Sequence, residues 1–98
     1  MSSERRCISE AAIFAQARLQ ESLPLETLAA VARLSPHHFH RVFKQETGET
    51  PAAFVQRLRL EQVAFRLLLH DETVLQIALD CGFRNPETLS RAFAATSV

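Results

Sequence analysis

Apolar residues recur along this chain at helical spacing. Ile8, Ala12, Ala15 and Leu19 fall three or four apart, sharing one helical face, and predict a first helix that closes by Ser22-Leu23-Pro24. A short helix is expected over 25–32, with Leu28 and Val31 inward. Ser35-Pro36 is a start signal, since serine caps free amides and proline suits the first helical position. The helix it opens, over 36–47, buries Phe39, Val42 and Phe43, and Gly48 closes it. Thr50-Pro51 repeats the device and opens the longest helix, 51–69, which spans about 28 Å at its standard rise. Asp71-Glu72-Thr73 breaks the pattern, and either Asp71 or Thr73 caps a short helix over 74–80. The turn Cys81-Gly82-Phe83-Arg84 follows, and Asn85-Pro86 starts a last helix that runs towards the C-terminus. At least six helices and no linker give an all-α class.

The chain also repeats itself. Leu28-Ala29 matches Ile77-Ala78, and Leu34 matches Phe83, at an offset of 49. After one extra residue in the second turn, Pro36 matches Pro86, Phe39 matches Leu89, Arg41 matches Arg91 and Phe43 matches Phe93, at 50. Each copy is a short helix, a tight turn, a capped start and a second helix, which is the layout of a helix-turn-helix. One copy could belong to any helical bundle; two copies with matched arginines favour a pair of reading heads. The long helix between them is close in length to the roughly 34 Å that separates successive major grooves on one side of DNA. The organisation expected is a single module over 1–98. It divides into a first helix-turn-helix lobe over 8–50, a linker helix over 51–69 and a second lobe over 70–98.

Composition narrows the alternatives. Ninety-eight residues allow one small domain, and 47% hydrophobic residues can build its core. The longest apolar runs, 11–15 and 28–32, are five residues each, far short of the roughly 20 residues of a membrane span, and the first residues lack a signal-peptide pattern. Cys7 and Cys81 stand alone and far apart, which fits free thiols in a reducing cytoplasm. Eleven basic and eleven acidic residues cancel, so the total charge does not advertise nucleic acid. Placement does: between Arg33 and Lys44 lie three cations, three histidines and no acid. A neutral total with a basic reading face implies weak non-specific binding, a modest salt dependence, and an affinity dominated by the first lobe.

With these residues in view, the chain resembles the AraC/XylS family of regulators over about 8–93. The residues carrying the resemblance begin with Leu25-Glu26-Thr27-Leu28-Ala29 and Leu34-Ser35-Pro36-His37-His38-Phe39-His40-Arg41-Val42-Phe43-Lys44. They continue through Glu46-Thr47-Gly48-Glu49-Thr50-Pro51, Arg57-Leu58-Arg59-Leu60, Ile77-Ala78 with Cys81-Gly82-Phe83, and Asn85 to Phe93. The resemblance implies a two-lobed reader of double-stranded DNA that usually activates transcription beside RNA polymerase. It departs from the family at Arg33, where glycine is common; if the turn needs a positive φ there, arginine costs about 1 kcal/mol. It departs again after Phe93, where the family adds a turn and a final helix and this chain stops within five residues. The expectation is a fragment whose second lobe is truncated, with any effector-binding domain following Val98.

Candidate contacts follow from the helix faces and from the family's motif. With Phe39, Val42 and Phe43 inward, the outer face of the 36–47 helix carries His37, His40, Arg41 and Lys44. Residues near the N-terminus of a recognition helix reach base edges, and an arginine can bond both acceptors of guanine. The resemblance assigns base reading to His37, His40 and Arg41 and, in the last helix, to Pro86, Glu87, Ser90 and Arg91. Glu87 either accepts from a cytosine amino group or only complements the helix N-terminus. Lys44 and Arg84 suit phosphates, and His38, one position off the reading face, packs or meets a phosphate.

Two rival readings remain. His37, His38 and His40 cluster, but without the further converging ligands a zinc site needs, and no nucleophilic triad or acid pair is recognisable. Gly48 and Gly82 are too few for a phosphate cradle, so no cofactor, metal or enzymatic activity is expected. A helical protein-interaction module would explain the helices, but not two exposed faces with matched arginines.

Overall fold

Proline and capping side chains set where helices begin. The computed structural model describes residues 3–69 and 71–96. Its helices are α1 (Ser3–Gln16), α2 (Leu25–Ala32), α3 (Pro36–Thr47), α4 (Pro51–Leu69), α5 (Val74–Asp80) and α6 (Pro86–Thr96), with no strand among the described residues. Four caps work alike. Ser35 Oγ accepts from the His38 amide (3.3 Å), Thr50 Oγ1 from Ala53 (3.1 Å), Thr73 Oγ1 from Gln76 (3.1 Å) and Asn85 Oδ1 from Thr88 (2.8 Å). Each satisfies one of the amides that a helix start leaves unpaired, a contribution of about 1 kcal/mol. Pro36, Pro51 and Pro86 then fill the first helical position, where a missing N–H costs nothing. Of the two candidates before α5, Thr73 is the cap.

The chain forms two compact units: residues 1–18 with 23–55, and residues 19–22 with 56–98. Helix α4 contributes to both. In the first unit α1, α2 and α3 pack on one another. The core gathers Ile8, Ala11 and Ala15 of α1, Leu28, Ala29 and Ala32 of α2, Phe39, Val42 and Phe43 of α3, and Phe54 and Val55 of α4. Phe43 sits between Phe39 and Phe54, with ring centroids 5.5 and 5.3 Å away, in tilted and edge-on arrangements favoured by aromatic quadrupoles. The second unit is built on Leu60, Val63, Ile77, Ala78, Cys81, Phe83, Leu89 and Ala92, with Phe93 partly covered against them. No described helix is long and apolar enough to cross a membrane.

Three details differ from the periodic reading. Ala11 rather than Ala12 is fully buried on α1. On α2, which lies against both α1 and α3, the buried residues are Leu28, Ala29 and Ala32, and Val31 is only half covered. Leu19 is buried but lies beyond α1, which ends at Gln16. There the guanidinium of Arg59 on α4 donates to the Leu19 carbonyl through Nε (2.8 Å) and to the Glu21 carbonyl through Nη2 (2.6 Å), fastening 19–22 into the second unit.

The duplicated turns are bonded identically. Arg33 N–H donates to Ala30 O and Leu34 N–H to Ala29 O, at 3.1 and 3.0 Å; Gly82 N–H donates to Leu79 O and Phe83 N–H to Ala78 O, at 3.2 and 2.8 Å. Every donor and acceptor in the second set lies 49 positions after its counterpart in the first. Both turns pivot on a left-handed residue, Arg33 at φ 61° and Gly82 at φ 95°. The positive φ considered for Arg33 is therefore present.

Candidate nucleic-acid interface

A capped start, a fixed turn and three buried side chains leave α3 one free face. Phe39, Val42 and Phe43 are buried, which turns His37, His40, Arg41 and Lys44 outward, all four exposed and spaced i, i+3, i+4, i+7. On α6 the buried Leu89 and Ala92 impose the same register, and Glu87, Ser90, Arg91 and Ala94 are exposed at the equivalent positions. Pro86 is half-buried at the first turn, and Arg84 is exposed just before the Asn85 cap. Each unit thus brings its own candidate residues onto a single strip. Such a strip offers a fork of donors from arginine, donors or acceptors from histidine and serine, and carboxylate acceptors only from Glu87.

His38 lies apart from the strip. Its side chain is one-third exposed, with Nε2 2.7 Å from Glu4 Oε2 and Nδ1 3.0 Å from Arg41 Nη2. Both ring nitrogens are engaged within the protein, so in this arrangement neither is available to a phosphate.

Reading only local sequence also missed the acids of α1. Glu4 reaches His38, Glu10 lies 3.6 Å from the Arg33 guanidinium, and Arg5 pairs with Glu46 at 3.0 Å. The basic stretch of 33–44 is therefore edged by carboxylates brought in from α1, and Glu4 lies 34 residues away from the histidine it holds. No spacing rule within α3 could have signalled it. These exposed pairs contribute little to stability, and their influence is on where cations point.

A family model described as a helix-turn-helix domain matches residues 28–97. The chain belongs to the AraC/XylS family. An HTH-type transcriptional regulator of Mycobacterium tuberculosis, Rv1931c, is 46% identical over 66 residues, which is 67% of this chain and 26% of that protein. The right origin-binding protein of Escherichia coli is 35% identical over 88% of this chain and 30% of its own length. The chain thus spans about a quarter to a third of these AraC/XylS relatives. Among solved structures, the DNA-binding domain of the global transcriptional factor AdpA, in complex with a target DNA, superposes with a TM-score of 0.86 at 33% identity, covering 92% of this chain and 81% of that one. An AraC-type regulator of Chromobacterium violaceum gives 0.85 at 26% identity, over 93% of this chain and 81% of its own. The fold is that of AraC-type DNA-binding domains, and these AraC/XylS relatives are regulators rather than enzymes.

Proposed function

We propose that this chain binds double-stranded DNA sequence-specifically, with α3 and α6 as recognition helices in successive major grooves, and that it serves in the cytoplasm as a transcription activator working beside RNA polymerase. The observation that carries the reading is the repeated exposed strip: two helices with equivalent side-chain caps, turns closed by equivalent backbone bonds and the same outward register, each bearing an arginine at the second turn. His37, His40 and Arg41 on α3, and Pro86, Glu87, Ser90 and Arg91 on α6, are assigned to base edges; Lys44 and Arg84 are assigned to phosphates. A recognition helix presents its first turns to the groove, and arginine forks onto guanine O6 and N7. The AdpA domain with its target DNA supports the DNA reading by likeness of fold. The activator role draws support from the transcriptional activator RhaS of Mannheimia succiniciproducens, 34% identical over 76% of this chain.

The test is selection from a random duplex pool followed by a salt titration. Enrichment of an asymmetric site with two short elements about one helical turn apart is expected. Enrichment of a single short element would reduce the reading to one working lobe. A chain folded by circular dichroism that binds no duplex at low salt would overturn it in favour of a protein-interaction module.

A further inference from the structure

The three side chains Glu4, His38 and Arg41 form a chain of hydrogen bonds that runs from α1 to the reading face. A guanidinium only donates, so His38 Nδ1, 3.0 Å from Arg41 Nη2, is the acceptor of that bond. The remaining ring nitrogen, Nε2, then carries the proton and donates to the Glu4 carboxylate at 2.7 Å. One tautomer satisfies both ends, and a carboxylate at the far end selects it. The backbone N–H of His38 donates to the Ser35 cap, which fixes the position of the residue at the start of α3. With Nη2 tied back, Arg41 keeps Nε and Nη1 as donors on a side chain whose rotamers are already restricted.

We infer that Glu4 is a positioning residue for sequence recognition: through His38 it holds Arg41 in the pose that reads a base, so that α1, which supplies no residue to the reading strip, sets how sharply α3 discriminates. The inference rests on Arg41 being a base reader. Holding a long side chain in its bound pose before contact avoids an ordering cost that otherwise weakens binding. The benefit falls on the correct base pair, where the bidentate geometry is strict, more than on any other.

The experiment uses the whole chain and the duplex most enriched in the selection above, together with the three substitutions at the base pair that Arg41→Ala desensitises. Glu4→Ala removes an acid near the DNA and raises affinity for every duplex alike, so the readout is the ratio of affinities between the preferred and substituted duplexes. Glu4→Ala is expected to lower that ratio roughly 2- to 10-fold at the pair Arg41 reads and nowhere else. Glu4→Gln, which keeps an acceptor for His38 Nε2–H, restores most of it, and adding Glu4→Ala to Arg41→Ala lowers the ratio no further. Imidazole nitrogen chemical shifts supply an independent readout: His38 is protonated at Nε2 in the parent chain and loses that preference in Glu4→Ala. An unchanged ratio in Glu4→Ala, where Arg41→Ala abolishes it, would overturn the inference and leave the DNA reading standing. An equal effect of Glu4→Ala at every base pair would overturn it as well. If Arg41→Ala changes no base preference, the assignment of Arg41 fails, and the inference fails with it.

Discussion

Arg33 and Gly82 occupy one place in the repeat, yet their surroundings demand different side chains. Both adopt a left-handed backbone, which costs an L-residue roughly 1–2 kcal/mol and glycine little. At Arg33 the compensation among the described residues is a 3.6 Å pair with Glu10 between exposed side chains, worth a few tenths of a kcal/mol at most. Arg33→Gly should therefore stabilise the chain by about 0.5–1 kcal/mol, a rise in melting temperature of roughly 2–8 °C for a domain of this size. A melting curve unchanged or lowered would show that the pair outweighs the strain. The opposite change in the second turn should fail. A Cβ at Gly82 would run into the Leu19 carbonyl oxygen and stand 2.7 Å from Arg59 Nε, so Gly82→Ala adds a collision to the strain of φ 95°. It should destabilise by at least about 2 kcal/mol in denaturant titrations. The two cysteines differ similarly by surroundings. Cys81 is buried, and that burial pushes its thiol up despite the neighbouring Arg66, whereas Cys7 is half-covered on α1. A thiolate is the reactive form, so a maleimide should label Cys7 first, and Cys81 only as fast as the second unit opens. Equal labelling rates in the folded chain would contradict this.

At the scale of elements, what the sequence made legible is what local chemistry dictates. Both ends of α3 and the starts of α4, α5 and α6 follow from Ser35-Pro36, Gly48, Thr50-Pro51, Thr73 and Asn85-Pro86, because caps and prolines act within three or four residues. The reading strips were legible for the same reason, since burial of Phe39, Val42 and Phe43 leaves α3 only one outward face. What escaped were effects that arrive from distant sequence. Apolar periodicity placed Leu19 on α1, but the helix stops at Gln16, and Arg59, 40 residues on from Leu19, bonds the Leu19 and Glu21 carbonyls within the second unit. His38 could be placed beside the strip from spacing, and its partner Glu4 could not. The Arg59 clasp makes its own prediction. Bonds from a charged donor to backbone carbonyls contribute about 1–2 kcal/mol each when partly shielded, and Arg59 is half-buried. Arg59→Ala should cost about 2–3 kcal/mol and should abolish hydrogen-exchange protection near 19–22 before that of α3. Uniform loss of protection across α3 and α6 would mean that the clasp stabilises the whole chain and not one segment.

For the molecule as a whole, a charge sum of zero conceals a difference between its two units. The α3 strip carries two cations, Arg41 and Lys44, while the matching α6 strip carries Arg91 balanced by Glu87, with Ala94 where the first has Lys44. Affinity for DNA backbone grows with each phosphate neutralised, and the logarithmic salt slope steepens by about 0.9 for each. On the proposed DNA reading, α3 therefore supplies most of the sequence-independent attraction, and α6 contributes chiefly through base edges. Ala94 offers a way to test that division, because it is exposed and occupies the register of Lys44. Ala94→Lys should raise affinity for every duplex, steepen the salt slope by about one, and leave the preferred sequence unchanged. Lys44→Ala should do the reverse by the same amount. The pair of variants isolates geometry from charge, since the double variant restores the parent's total while moving one cation from the first strip to the second. If its salt slope matches the parent's, both strips lie equally close to phosphate. If Ala94→Lys leaves the slope untouched while Lys44→Ala flattens it, α6 does not approach the backbone as α3 does, and a two-headed reader reduces to a single head held on a repeated scaffold.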